Sequence, residues 1–283
     1  LTSETLSTAT GSTVATTYTW DGNGNLASKT TPIEHTAYVF DADNRLVEVK
    51  RGASSSTANT IAKYGYDADG QRVRKETASG IVNYLIDPTT TWPQVVLETK
   101  GSQRTAYTWG DQLRQQARGA AGSANSAPME ALIPLQGHLG TTIAAVDASG
   151  NAMERYEAAA FGELANESPK AAHQYTGEYW DADPGLVYLR ARWYEPATGR
   201  MLSADPAAGV ARNPQSLNRY AYVHGDPVHN MDPSGEFSLG ELNASVNIQL
   251  IAVRQAFITG GRQAGGKALQ QLGKVVEDGV EKL

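Results

Sequence analysis

The feature that most restricts what this chain can fold into is a unit repeated along its first half: aromatic, any residue, aromatic, Asp, a short polar turn, then an alternating stretch. It occurs as YTWDGNGNLASK (18–29), YVFDADNRLVEVK (38–50) and YGYDADGQRVRK (64–75), with an eroded copy, YTWGDQLRQQ, at 107–116. The anchoring aromatics Trp20, Phe40 and Tyr66 stand 20 and 26 residues apart, the spacing of a repeat architecture. Each copy predicts a β-hairpin, because Asp-Gly-Asn-Gly, Asp-Ala-Asp-Asn and Asp-Ala-Asp-Gly tolerate the positive φ that tight turns require at Gly and Asn. In RLVEVK, alternation puts Leu46, Glu48 and Lys50 on one face and Val47 and Val49 on the other, while QRVRKE is more polar, a half-buried pattern that suits an extended sheet with one wet side. A lone hairpin is unstable, so successive copies must pair edge to edge into one continuous sheet.

Residues 117–130, ARGAAGSANSAPME, are small and polar without periodicity and predict a loop. The hairpin pattern resumes after it, with a strand at Thr142–Val146, a turn from Asp147 and a return strand through Met153–Tyr156. Residues 171–237 hold four of the chain's five Asp-Pro pairs (183/184, 205/206, 226/227 and 232/233, the fifth being 87/88), which predicts a compact, turn-rich region. From Ser238 the apolar residues Val246, Leu250, Val253 and Phe257, then Leu269, Leu272, Val276, Val280 and Leu283, recur at helical spacing. Two amphipathic helices joined at Gly260-Gly261 follow. The expected organisation is a repeat sheet over 1–130, a dense domain over 131–237 and a helical tail over 238–283.

With 283 residues and 40% hydrophobic content the chain can bury a substantial core. A net charge of −6 and a pI near 5.4 argue against nucleic-acid binding. Having no cysteine excludes disulfides and thiolate metal sites. His224 and His229 stand five apart without an accompanying carboxylate constellation, so no metal site and no cofactor are expected. The first twenty residues have neither a basic start nor an apolar core of a signal peptide, and read as the interior of something larger.

The Tyr-Asp repeats, HLGTT…VDASGNAMERYEAAAFGEL, and above all GLVYLRARWYEPATGRMLSADP…NRYAYVHGDPVHNMDPSGE resemble the RHS/YD-repeat proteins and their RHS-associated core domain, over roughly residues 18–237. That resemblance implies a mainly β fold in which repeat hairpins wind into a hollow shell or cocoon. It also implies a core domain closing one end and a variable C-terminal segment, a toxin or other effector, carried behind it. It implies partners too: the chain's own C-terminal effector segment, a secretion-system or toxin-complex partner and an immunity protein, with a secreted or cell-surface location. Some members of the family cut themselves at the end of the core, using aspartates and an arginine near a closing Asp-Pro-x-Gly-Leu motif. Carried over residue by residue, this points to Asp205, Asp232 and Arg200, with the cut around Gly235, Glu236 and Phe237. Here Glu236 stands where the family pattern has Leu.

Two carboxylates held together cannot easily both ionise, so one can keep a proton and serve as acid while the other activates water, which is aspartyl-protease chemistry. The structural alternative is that Asp232-Pro233-Ser234-Gly235 only turns the chain, Asp205 caps a turn and Arg200 pairs two strands. The tail from 238 to 283 has no His, Tyr, Trp or Cys and offers no nucleophile and base. Its small-residue spacing, as at Gly261 and Gly265, allows close helix packing or weak membrane contact as well as a plain amphipathic helix. Three functions remain open: a shell module presenting an effector, the same module as an aspartyl autoprotease, and a cell-surface adhesion or carbohydrate-binding repeat protein.

Overall fold

A computed structural model describes residues 2–7, 13–90, 92–120, 130–165, 169–206 and 214–236. The helices expected over 238–283 lie outside them, as does Phe237. Leu1–Glu236 forms one compact unit.

Each Tyr-Asp turn is built by its aspartate. Asp21, Asp41, Asp67 and Asp147 each accept, at one carboxylate oxygen, the N–H groups of the residues two and four positions on, at 2.8–3.0 Å. The residue three positions after each Asp has a left-handed backbone, with φ of 85°, 61°, 78° and 84° at Gly24, Asn44, Gly70 and Gly150. This explains why only Gly or Asn stands there.

These turns join strands β1 (Ser3–Ser7), β2 (Thr13–Trp20), β3 (Leu26–Thr30), β4 (His35–Phe40), β5 (Leu46–Gly52), β6 (Asn59–Tyr66) and β7 (Arg72–Thr77). The sheet continues through β8 (Gly80–Asp87), β9 (Gln94–Lys100), β10 (Gln103–Trp109), β11 (Leu113–Ala120), β12 (Glu130–Gln136), β13 (Thr142–Val146) and β14 (Ala152–Arg155). All fourteen pair antiparallel with their chain neighbours in a single sheet. The loop expected from residue 117 starts later, because Ala117 and Arg118 pair with Ala106 and Thr105 on one side and with Ala131 and Glu130 on the other. Residues 121–129 of that loop lie outside the described residues.

The alternation read from RLVEVK is corrected by a bulge. Val39 faces Glu48 and Phe40 faces Leu46, so Val47 is left without an opposite partner, and both Leu46 and Val49 turn inward with no exposure. The same single-residue slip follows the turn in β2–β3, β6–β7, β8–β9 and β10–β11. It brings Leu26, Leu46, Arg72, Val95 and Leu113 onto the face that holds Tyr18, Tyr38, Tyr64, Tyr84 and Tyr107, all buried.

Residues 171–206 and 214–236 cover that face. They carry a second sheet of β15 (Tyr179–Asp181), β16 (Leu186–Leu189), β17 (Arg192–Glu195) and β18 (Arg200–Met201). Leu186, Tyr188, Trp193 and Leu202 share one core with Tyr18, Tyr38, Tyr64, Leu26 and Leu46. A separate cluster of Tyr175, Val187, Leu189, Tyr194, Met201, Tyr222 and Val223 packs the second sheet against the segments around it. Fully burying each such side chain contributes about 1.5–3 kcal/mol, so the two layers stabilise each other. The tight turn between β16 and β17 then presents Arg190, Ala191 and Arg192 to the last described residues.

Candidate functional site

The closing Asp-Pro-Ser-Gly is a turn in which side chains replace much of the usual backbone bonding. One carboxylate oxygen of Asp232 accepts the Ser234 hydroxyl at 2.9 Å and the Gly235 N–H at 2.8 Å, while the Ser234 oxygen accepts the Glu236 N–H at 3.0 Å. Gly235 has a φ of 76°, and a Cβ there would run into the Leu189 carbonyl and the Arg192 amide. Glycine is required at this position on both grounds.

Three consecutive carbonyls of this segment are gripped by Arg190 and Ala191 of the β16–β17 turn and by Arg192, which starts β17. Arg190 donates through Nη1 to Pro233 O, the Ala191 N–H donates to Ser234 O at 3.2 Å, and Arg192 donates through Nε to Gly235 O. Arg190 itself adopts a φ of 63°. It also pairs with Glu178 at 2.8 Å and donates from Nε to Pro93 O at 3.1 Å, so it ties the cradle to the β8–β9 loop.

The structure brings Asp205 and Asp232 together on one guanidinium. Arg192 Nη2 lies 2.8 Å from an Asp205 carboxylate oxygen and 3.6 Å from one of Asp232. Its Nη1 donates to Arg219 O at 3.2 Å. Asp205 is fixed in turn by its own N–H on Arg219 O at 2.9 Å and by the Arg219 guanidinium on its carbonyl, with Nε at 2.6 Å. Burial pulls the Arg192 guanidinium below its ordinary pKa, and Asp205, Asp232 and Glu236 act to keep it charged. Glu236 is pushed up, first by burial and then by Asp205, with Arg192 opposing.

Arg200 is not the arginine that contacts both carboxylates. It starts β18, where it lines a small recess with Tyr18, Trp20, Leu26 and Glu195. Arg192 and Arg190, which take its place in the cluster, sit in YLRARWY, a stretch whose alternation marks sheet faces and hides the turn that re-aims both arginines. Of the other histidines considered, His229 pairs with Asp226 at 2.9 Å in an exposed turn. No group of three or more His, Asp or Glu among the described residues is arranged to hold a metal ion.

The arrangement has the parts for peptide hydrolysis. A guanidinium sits on the carbonyl of the Gly235–Glu236 peptide, and two carboxylates share that guanidinium. The same peptide's N–H rests on a hydroxyl that is itself bonded to Asp232.

No protein-family model matches the chain. The tRNA3(Ser)-specific nuclease WapA of Bacillus spizizenii is 31% identical over 232 residues, which are 80% of this chain and 9% of that protein. Toxin subunit YenC1 of Yersinia entomophaga is 28% identical over 243 residues, 77% of this chain and 22% of the relative. The chain therefore spans less than a quarter of the length of either. In fold it matches a chain of the Photorhabdus luminescens Tc holotoxin pore with a TM-score of 0.54 at 19% identity, over 80% of this chain and 13% of that one. With its Tyr-Asp hairpins in an unbroken sheet, a second sheet packed on the tyrosine face and relatives of this kind, the chain belongs to the RHS/YD-repeat proteins.

Proposed function

We propose that this chain is the closing end of an RHS-repeat shell that encloses and presents a C-terminal effector segment, and that it cuts itself at the end of its core. The observation that carries the reading is the Arg192 cluster, in which two carboxylates and the Gly235 carbonyl meet on one guanidinium at the end of the plug. In the proposed reaction one aspartate takes a proton from water as the water oxygen bonds to the peptide carbon. Arg192 stabilises the negative charge that forms on the carbonyl oxygen. The C–N bond then breaks and the departing amine receives a proton from the second aspartate. The segment freed is the toxin, and the shell acts with a toxin-complex partner after secretion or display at the cell surface. An immunity protein in the producing cell completes the proposed set of partners.

Intact-mass measurement of the purified chain tests the cut. The expected result is a two-piece protein divided at the Gly235–Glu236 bond, whose carbonyl Arg192 holds. Asp205→Asn, Asp232→Asn and Arg192→Gln should each retain the melting profile of a folded sheet and slow the cut by about 100-fold or more. A chain that stays whole at every pH sinks the self-cleavage reading.

A further inference from the structure

We propose that Glu236 is the acid gate of this site: its carboxyl must carry a proton for the cut to proceed, which makes self-cleavage fast in acid and slow at neutral pH. This rests on the reading that Asp205, Arg192 and Asp232 perform the reaction.

Arg192 is heavily committed. Nε serves Gly235 O, Nη1 serves Arg219 O, and Nη2 serves Asp205 and Asp232. Glu236 is tethered beside this guanidinium by the peptide group that joins it to Gly235, whose carbonyl accepts from Arg192 and whose N–H donates to Ser234 at 3.0 Å. Its side chain is half-buried, and the charges that act on it are Asp205 and Arg192.

The other charged groups around the cluster do not relieve it. The Arg219 guanidinium is bound to the Asp205 carbonyl, and Arg190, on the far side of the segment, is paired with Glu178 at 2.8 Å. A third carboxylate therefore finds one shared cation already serving two. Ionised, Glu236 competes for Arg192 and repels Asp205, drawing the guanidinium off the carbonyl it must polarise. Protonated, it removes both effects and leaves the Asp205–Arg192–Asp232 arrangement intact. Burial and the nearby Asp205 both favour the protonated form beyond the range of an ordinary glutamate.

The test uses the full chain, with first-order cutting rates read by intact mass from pH 4.5 to pH 8. Wild type is expected to slow with rising pH, approaching tenfold per unit once Glu236 ionises. Glu236→Gln should lose this added slowing and keep only the pH dependence of the proton that the aspartates themselves hold. If both proteins show the same pH profile, while Asp205→Asn abolishes the cut in each, the gate is overturned and the reading of the site stands. If neither protein cuts at any pH, both fall. Melting temperature provides a second readout. The advantage of Glu236→Gln over wild type should be near zero below the unfolded glutamate pKa of about 4.3, grow as pH rises from there through the raised folded pKa, and stay constant above it, because in that window the unfolded chain ionises while the native carboxyl still holds its proton. A difference that does not change with pH contradicts the gate.

Discussion

Arg72 occupies the place in its hairpin that Leu26, Leu46, Val95 and Leu113 fill in theirs, and like them it is buried, at 1% exposure. Its guanidinium lies 4.4–4.5 Å from the ring centres of Tyr84, Tyr179 and Tyr188, with Tyr64 and Trp193 somewhat farther away. The ring faces offset part of the lost hydration. Asp181 supplies the counter-charge at 3.4 Å and is shared with Lys75, which also pairs with Asp183. Asp181 therefore answers two cations from a fully buried position. Asp181→Asn should destabilise the fold by about 3–5 kcal/mol, since breaking a buried pair strands the remaining charge; chemical denaturation of a cut-deficient background measures it. None of this was legible in QRVRKE, which reads as a more polar strand in a sheet with one wet side, because the charge is neutralised by residues more than a hundred positions away. The same limit explains the exchange of Arg192 for Arg200. Asp205 and Asp232 were marked by the family resemblance, but which of two nearby arginines reaches them depends on a turn whose direction no spacing reveals.

At the level of the hairpin, the Asp turns were legible because their chemistry is local, and the bulge was not because it appears only when two strands are paired. Turn and bulge act together: the aspartate holds the loop closed, and the slip beside it carries the first residue of the return strand into the core. Asp41 accepts the N–H groups of Asp43 and Arg45 and pairs with the Arg45 side chain at 2.8 Å. Asp41→Ala should cost about 1–2 kcal/mol, whereas Asp41→Asn, which keeps an acceptor oxygen, should cost less; the melting temperatures of the two variants decide. Burial alone would raise the Asp41 pKa, but the Arg45 amide and side chain outweigh it and hold it below the ordinary range. At Asp147 the Asn151 side chain and amide do the same, each outweighing the smaller opposition from burial. Carboxylates with depressed folded pKa values stabilise above the unfolded value of about 4 and lose that contribution as pH falls through the folded value. The repeat sheet should therefore soften below about pH 4, and the Asp41→Ala protein should lose less on acidification than wild type.

Across the whole molecule, what the repeats announced was a sheet, and what they did not announce was the seam between that sheet and the plug. The seam is made of contacts between tyrosines near 18–107 and residues beyond 171, too far apart in sequence for periodicity to register. His173 sits in it, 2% exposed, with the rings of Tyr107 and Trp109 from β10 and Tyr179 from β15 edge-on at 5.0, 5.0 and 5.5 Å. Its Nδ1 has no hydrogen-bond partner. Burial first, then Arg190 and Arg72, push its pKa down to about 3. An imidazole held neutral in the native state gains its proton only on unfolding, so the unfolded chain is favoured progressively as pH drops below about 6.5, by about 1.4 kcal/mol per unit, until the native group also titrates. Between pH 7 and pH 5 this single residue should cost the fold about 2 kcal/mol. His173→Phe, an apolar ring among rings, should remove that loss, so that the two proteins converge or cross in stability as pH falls through this range. The comparison belongs in the cut-deficient Asp205→Asn background, which separates unfolding from chain scission. Denaturation curves that stay parallel from pH 7 to pH 5 would place the acid sensitivity of the seam on groups other than this histidine.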